Sequence, residues 1–412
     1  MPSWLVPINE LTQAQRKAVE LDITEPKVII GAPGSGKTMV LVHRAKYLQE
    51  IYNVSPERFH IFVFTNVLKD YIRSDLNLVD IPESCVTTFD SWCMDFHKEN
   101  ISRKFPRANR MIDFGAVREN VLAEVNDNPQ TWEIFDFILV DEGQDLDETF
   151  YGIIKRISQH ITVCMDHKQQ IYDQRPEENE ILHILGLKKR NVALLGAYRC
   201  CPYIVDLASE FIENDFEKNA FINQSFTSKP GRLTPLFYAA KDFNDELERL
   251  IEVIRDRQMI DKRIGILLPS KKYIYGMAND LIDHGLEVEI QTRKVEKVGK
   301  LNFSTTNPKL ITYYSAKGLT FDSVLLPRLS PSFFTRESGD RLKRLLFVGI
   351  TRATEWVYLS TINGRELSLL KELEKLALER KITIQSWNEL QRVQEISNDV
   401  GEVTDDEDDY PF

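Results

Sequence analysis

Short apolar runs separated by longer stretches of helical periodicity set the rhythm of this chain. Val28 to Ile30, Ile61 to Phe64, Val86 to Thr88, Phe137 to Val140, Ile161 to Cys164 and Val192 to Leu195 read as buried strands. Brief runs that are continuously apolar suit strands covered on both faces, and helical patterns between them supply the covers. A second series repeats the rhythm: Leu233 to Tyr238, Ile264 to Leu268, Val288 to Ile290, Leu310 to Tyr313, Val324 to Leu326 and Trp356 to Leu359. The alternation predicts two α/β domains, each with a parallel sheet. We place the first at 1–196 and the second at 197–381, with a boundary near Gly196 to Pro202 and a C-terminal extension at 382–412.

At 412 residues and 42% hydrophobic content, the chain has enough apolar material for a core in each domain. No run is long and apolar enough to span a bilayer. The start Met1-Pro2-Ser3-Trp4 lacks the basic and apolar regions of a secretory signal, so a cytoplasmic location is expected. Cys85, Cys93, Cys164, Cys200 and Cys201 show no metal-ligand spacing, and scattered thiols suit a reducing compartment.

The formal charge of −11 argues against a nucleic-acid partner only until its location is considered. Eight acidic residues and no basic ones follow Arg392, leaving the rest of the chain near neutrality. Two local clusters, Arg103-Lys104 with Arg107 and Arg110, and Arg293-Lys294 with Lys297 and Lys300, could follow a phosphate backbone. The terminal stretch from Val403 is too acidic and too poor in apolar residues to fold by itself.

Gly31-Ala32-Pro33-Gly34-Ser35-Gly36-Lys37-Thr38 lies between the first apolar run and a helical pattern. A glycine-rich turn in that context lets successive backbone N–H groups and a helix N-terminus converge on phosphates. Lys37 is suited to the β- and γ-phosphates and Thr38 to Mg²⁺, so the chain reads as an ATP or GTP hydrolase. Val140-Asp141-Glu142-Gly143-Gln144-Asp145 puts adjacent carboxylates at the end of another strand, where open α/β sheets bind ligands. Asp141 is the candidate for holding Mg²⁺, and Glu142 for deprotonating the attacking water.

In this order and spacing the segments resemble a superfamily 1 helicase of the UvrD/Rep type, from roughly Leu11 to Ser360. The resemblance implies two RecA-like P-loop NTPase domains with an ATP cleft between them. Gln15, in Leu11-Thr12-Gln13-Ala14-Gln15, matches the residue that reads adenine. Phe64-Thr65-Asn66 and Thr87-Thr88-Phe89-Asp90-Ser91 match segments that contact DNA. Asp166 and Gln169 match the motif linking the γ-phosphate to the DNA surface, so Gln144 and Gln169 are coupling candidates. In Ala197-Tyr198-Arg199, the resemblance implies that Tyr198 stacks on adenine and Arg199 approaches the γ-phosphate. Thr312 to Phe321, with Tyr314 and Gly318, resembles the motif joining nucleotide and DNA. Phe347-Val348-Gly349-Ile350-Thr351-Arg352-Ala353 supplies Arg352 as an arginine finger.

Several positions depart from the family pattern. Gln174 stands where an aromatic usually stacks on a base, and Met165, Asp90, Tyr314 and Thr320 replace glycine, histidine, histidine and glutamate. Phe64, Trp92, Tyr313 and Tyr314 remain candidate stacking side chains. Short intervals between Ser91 and Phe137, and between Arg199 and Thr312, leave little room for large inserted domains. We expect a small helical accessory piece around 95–130 carrying the Arg103 to Arg110 cluster.

The resemblance implies an ATP-dependent DNA helicase or translocase moving 3′ to 5′ on single-stranded DNA, with ATP and Mg²⁺ as cofactors and partial duplexes as further substrates. The alternative is a nucleic-acid-sensing ATPase switch or partner subunit, for example of a nuclease in an anti-phage system. A P-loop kinase would leave Gln15, Arg199 and Arg352 unexplained. The tail Asp405 to Phe412 resembles the C-terminal tip of bacterial single-stranded DNA-binding proteins, which implies docking into basic-rimmed apolar pockets of a protein partner; a passive tail or one folding back over the DNA groove are the other readings.

Overall fold

The computed structural model describes residues 4–128, 131–132, 134–166, 178–194, 200–224, 233–260, 263–291, 299–335, 337 and 339–388. The first sheet comprises β1 (Lys27–Gly31), β2 (Phe59–Val63), β3 (Val86–Thr88), β6 (Phe135–Val140), β7 (Ser158–Met165) and β8 (Val192–Leu194), with a two-stranded hairpin of β4 (Arg107–Ala108) and β5 (Met111–Ile112) outside it. Its order is β3-β2-β6-β7-β1-β8 and every pairing is parallel. All six apolar runs of the first series became strands, with ends shifted by a few residues. Because β7 lies between β1 and β6, the chain segments leaving these three strands emerge side by side at one carboxyl edge.

Helices α1 (Gln13–Val19), α2 (Lys37–Ile51), α3 (Asn66–Arg73), α4 (Phe89–Asn100), α5 (Phe114–Asp127), α6 (Glu148–Ile157) and α7 (Glu178–Ile184) accompany this sheet. Short polar side chains start most of them. Thr65, Thr88, Asp113 and Asp147 each accept a hydrogen bond from a backbone N–H in the first turn of α3, α4, α5 and α6. That satisfies donors which no helical carbonyl can reach. Arg44 of α2 is wholly buried and donates to the carbonyls of Val19 and Leu21 and to Thr162 Oγ1, tying the helix to the α1 exit and to β7.

The accessory piece differs from expectation. Helices α4 and α5 do not stand apart: Phe89, Cys93, Phe96, Val117, Val121 and Val125 share one buried cluster with Ile138 and Val140 of β6. Their apolar stripes belong to the domain core. What projects is the β4–β5 hairpin, whose Asn109 and Arg110 take left-handed φ values of 49° and 67°. Two such residues suit a tight hairpin turn whose twist matches its strands. Arg103, Lys104, Arg107 and Arg110 are all exposed around it.

The second sheet comprises β9 (Leu236–Ala240), β10 (Ile264–Leu268), β11 (Glu289–Ile290), β12 (Gly299–Lys300), β13 (Lys309–Thr312), β14 (Phe321–Leu326), β15 (Ala353–Ile362) and β16 (Thr383–Ser386). Its order is β12-β11-β13-β10-β14-β15-β9-β16, again all parallel. Helices α8 (Pro202–Ser209), α9 (Asp215–Gln224), α10 (Phe243–Gln258), α11 (Lys271–Asp283), α12 (Gly339–Ile350) and α13 (Leu373–Leu378) accompany it. Strands β12 and β16 lie at the two edges and carry few apolar residues, so no hydrophobic run announced them. Pairing of β16 with β9 carries the sheet past Lys381.

A buried histidine gives this fold a testable acid sensitivity. His60 on β2 packs against the rings of Phe62 and Phe135, and its Nε2 has no hydrogen-bond partner among the described residues. Burial, with the charge of Arg73 adding to it, pushes its pKa from 6.5 down to about 4. The unfolded chain therefore binds a proton that the folded chain refuses, and stability falls as pH drops from 6.5 towards 4. Between pH 7 and 5 this group alone should remove about 2 kcal/mol. His60→Leu should flatten that part of the profile in chemical denaturation at the two pH values; an unchanged slope would exclude His60 as its source.

Candidate active site

The glycine-rich turn leaves β1 at Gly31 and enters α2 at Lys37, with Gly34 and Gly36 at left-handed φ values of 76° and 83°. A side chain at position 36 would bring a Cβ within 2.7 Å of Gln15 Nε2, and one at 31 within 2.3 Å of Ser35 Oγ. Gly36 is therefore favoured by its dihedrals as well as by the path of the turn, and Gly31 by close packing alone. Lys37 Nζ donates to the carbonyls of Gly31 and Ala32 at 2.8 and 3.2 Å and lies 3.6 Å from Asp166 Oδ2. Thr38 Oγ1 donates to Asp141 Oδ2 at 2.6 Å, so the two candidate Mg²⁺ ligands are in direct contact.

Gln15 is buried, and its amide has structural work. Its Oε1 accepts from Thr12 N at 2.9 Å, closing a capping box on α1, and its Nε2 donates to Ser35 O at 2.9 Å. The residue proposed to read a base thus also braces the phosphate loop. One amide N–H and one lone pair remain for a ligand.

Glu142 follows Asp141 with a left-handed φ of 56°, which turns its carboxylate away from the strand direction. Gln144 Nε2 donates to Glu142 Oε2 at 2.6 Å, while Gln144 Oε1 accepts from Asp166 N at 2.9 Å. One amide therefore links the end of β6 to the end of β7. From the second sheet, Lys317 Nζ hydrogen-bonds Asp145 Oδ2 and lies 3.5 Å from Glu142 Oε2. Gly143 is forced by packing, because a Cβ there would meet Val163 Cγ1 at 2.3 Å.

The charges resolve in opposite directions. Burial, reinforced by the adjacent Glu142, pushes Asp141 up to about 6, against the hydrogen bond from Thr38. Burial also acts to raise Glu142, but the charges of Lys317, Lys37 and Arg352 and the Gln144 hydrogen bond hold it below the usual carboxylate range. A buried Glu kept ionised at neutral pH has the protonation state that a general base requires.

A single cavity is lined by Gly34, Gly36, Lys37, Thr38 and Glu142 from the first domain and by Gly318 and Arg352 from the second. Gly318 follows β13 with a φ of 80°, and a Cβ there would lie 2.8 Å from Leu68 Cδ2 of α3, so the second domain seats closely on the first at this point. Arg352 is buried and donates through Nε to Val348 O and through Nη2 to Thr351 Oγ1. Nucleotide phosphates and Mg²⁺ suit this donor set: positive side chains from two domains, a glycine turn with no Cβ in the way, and a hydroxyl beside a carboxylate.

The proposed DNA residues divide. Phe64 is half-buried, Thr65 is a helix cap, and Asn66 is exposed, with Oδ1 accepting from Lys69 Nζ at 2.9 Å. Thr88 is buried as the α4 cap, and Phe89 packs edge-on against Phe62 and Phe150 at 5.4 and 4.5 Å. An apolar side chain in the first turn of an inward-facing helix went to the core, so neither residue presents a surface to DNA. Tyr313 is wholly buried, whereas Tyr314 is half-buried and receives a hydrogen bond from Arg341 Nε at 2.9 Å. Trp92 sits in the Phe62 and Phe96 aromatic cluster. Asp90 lies 3.2 Å from Arg118 Nε in an ion pair. Gln169, Gln174, Tyr198, Arg199, Arg293, Lys294, Lys297 and the tail Asp405 to Phe412 lie outside the described residues.

Three side chains in or beside the cleft escaped sequence reasoning. Trp4 and Tyr71 stack at 5.2 Å and line the cavity with Thr320. Lys317 was visible only as a member of a motif, and a buried partner across the cleft leaves no local signal.

Comparison with known proteins places segments of both halves beside helicase families. Residues 11–128 match the UvrD/REP helicase N-terminal domain, and residues 309–360 match the UvrD-like helicase C-terminal domain. Each half thus carries a segment similar to UvrD-type helicases. It is 24% identical over 300 residues to a probable DNA helicase II homolog of Mycoplasma capricolum, covering 50% of this chain and 41% of that one. To the ATP-dependent DNA helicase PcrA of Staphylococcus epidermidis it is 22% identical over 348 residues, covering 62% and 47%. A probable DNA helicase of Mycoplasma pneumoniae is 20% identical over 465 residues, covering 86% and 84%. The chain thus spans less than half the length of the first two relatives in these matches. Asp141 and Glu142 lie between the two matched segments, so their place beside the phosphate loop rests on the fold itself.

Gly36→Ala tests the loop directly. Forcing alanine to a φ of 83° against Gln15 should cost about 1–2 kcal/mol of stability. Thermal unfolding should detect that loss, and calorimetric titration with ATP should show binding abolished. A variant that binds ATP like the parent would mean that the loop does not cradle the phosphates.

Proposed function

We propose that this chain is a DNA-stimulated ATPase that moves along single-stranded DNA from 3′ to 5′ and separates duplexes it meets. The observation that carries the proposal is the cavity shared by the two domains, in which the phosphate loop and Glu142 face Gly318 and Arg352. A site completed by both domains ties hydrolysis to their relative position, and a cycle of closing and opening becomes directed stepping when the domains grip a strand unequally. UvrD-like domains in both halves support DNA as the track.

In this reading Thr38 and Asp141 hold Mg²⁺, which when bound offsets phosphate charge and orients the terminal phosphoryl group. Lys37 exchanges the Gly31 and Ala32 carbonyls for phosphate oxygens. Glu142 accepts the proton of the attacking water, its carboxylate oriented by Gln144. Arg352 stabilises the charge that develops as the terminal bond breaks, as an arginine finger does. Gln144, which accepts a hydrogen bond from Asp166 N, couples the base to the end of β7. Gln169, Arg199 and Tyr198 complete the site as the resemblance implies.

A second reading has a specific support. The match covers 47% of the Staphylococcus epidermidis helicase, and the element that projects from the first domain is a short basic hairpin. A nucleic-acid-sensing ATPase that works with a partner subunit would need no more. Strand displacement on a 3′-tailed and a 5′-tailed duplex, run beside ATPase with and without single-stranded DNA, separates the two. Unwinding of the 3′-tailed duplex alone supports the motor; DNA-stimulated ATPase without displacement of either supports the switch.

The chemical assignment has its own test. Lys37→Ala should abolish both ATP binding and hydrolysis. Glu142→Gln should bind ATP normally while turnover falls by about two to four orders of magnitude, the usual contribution of a positioned base. Arg352→Ala should depress kcat far more than it raises KM, because its contact belongs to the transition state. Hydrolysis by Glu142→Gln at the parent rate would remove Glu142 from the reaction.

A further inference from the structure

Lys317 is a charged residue beside the cleft that the hydrolysis scheme leaves unused, paired with Asp145, which the scheme also leaves aside. It belongs to the turn at 313–318 that follows β13, and it is buried to 1% exposure. The turn is internally braced: Ser315 N donates to Thr312 Oγ1 at 3.2 Å and Ala316 N to Thr312 O at 2.9 Å. Gly318, the next residue, packs so closely on Leu68 of α3 that it has no room for a Cβ. The backbone is thereby fixed, and the Lys317 side chain crosses from the second domain into the strand-end loop of the first. Its ammonium hydrogen-bonds Asp145 Oδ2 and lies 3.5 Å from Glu142 Oε2.

That oxygen of Glu142 is held twice, by Gln144 of its own domain and by Lys317 of the other. Oε1 takes no hydrogen bond among the described residues and is left for a water. We propose that Lys317 is a positioning residue for ATP hydrolysis: it completes the alignment of the Glu142 carboxylate only when the second domain is seated on the first. A buried ammonium is tolerated only beside carboxylates, so separation of the domains returns Lys317 to water and leaves Glu142 held from one side. Closure then aligns the base as well as delivering Arg352. Tyr314, the candidate DNA contact, lies in the same turn, so a strand gripped there acts on the segment that carries Lys317. The proposal rests on the reading of Glu142 as the general base.

The experiment measures steady-state ATPase on the full chain with saturating single-stranded DNA, for the parent, Lys317→Met, Lys317→Gln, Lys317→Arg and Glu142→Gln, with thermal unfolding of each. Both neutral variants should lose about a hundredfold in kcat, the scale of a misaligned catalytic group, while the KM for ATP stays within about threefold. Lys317→Arg should recover much of kcat. Lys317→Gln keeps a donor for Asp145 and serves if Lys317→Met does not fold. Parental kcat in either folded neutral variant, a raised KM with unchanged kcat, or an arginine variant no better than the neutral ones overturns the proposal. If Glu142→Gln is inactive while the neutral variants turn over normally, only the role of Lys317 falls. If Glu142→Gln hydrolyses ATP normally, the base assignment falls and this proposal with it.

Discussion

Buried charge at the seam between the two sheets is the constraint on which the rest of this molecule depends. Lys37, Asp141, Glu142, Asp145, Asp166, Lys317 and Arg352 are all less than a tenth exposed. None of them could be ionised there alone, and removing one partner from such a set costs about 3–5 kcal/mol. The negative charges come from the first domain and two of the three positive charges from the second. The compensation of four carboxylates by three cations is therefore a property of the docked pair of domains. That couples the electrostatic state of the Asp141 and Glu142 carboxylates to the position of the second sheet.

The backbone is arranged to keep those charges at fixed separations. Left-handed dihedrals at Gly34, Gly36, Glu142 and Gly318 occur where the chain reverses out of a strand end. Three of these are glycines, for which the conformation is cheap. The fourth is a glutamate, and a non-glycine residue held there has its orientation determined by its surroundings. Here the surroundings are the Gln144 amide, which joins Glu142 to Asp166, and the Lys317 ammonium opposite. Rigid turns on a parallel sheet thus present flexible side chains at one edge with little freedom left to lose.

The surface away from the cleft is economical. Helices α4 and α5 complete the hydrophobic face of the first sheet and the β4–β5 hairpin projects from it. Four exposed basic side chains are concentrated around that hairpin in a chain of formal charge −11. A phosphate backbone is attracted to such a local excess of positive charge even when the net charge repels it.

Sequence alone determined the alternating architecture and marked the candidate phosphate loop. Apolar runs such as Val28 to Ile30 and Phe137 to Val140 can only be buried strands, and a glycine-rich turn opening a helix has few uses other than binding phosphate. Those features are local: the residues that define them are neighbours in the chain. The edge strands β12 and β16 were not legible, since an edge pairs on one side and needs little apolar content. Nor were the fates of Thr88 and Phe89, because a cap and a core aromatic look the same in sequence as a DNA-contacting pair. The capping and bracing work of Gln15, the bridge made by Gln144 and the reach of Lys317 to Asp145 and Glu142 were decided only by tertiary structure. Lys317 and Asp145 are 172 positions apart in the chain. No periodicity encodes a contact at that separation; it exists because the Gly318 turn seats on α3 and carries the ammonium into a pocket where only a carboxylate pair can receive it.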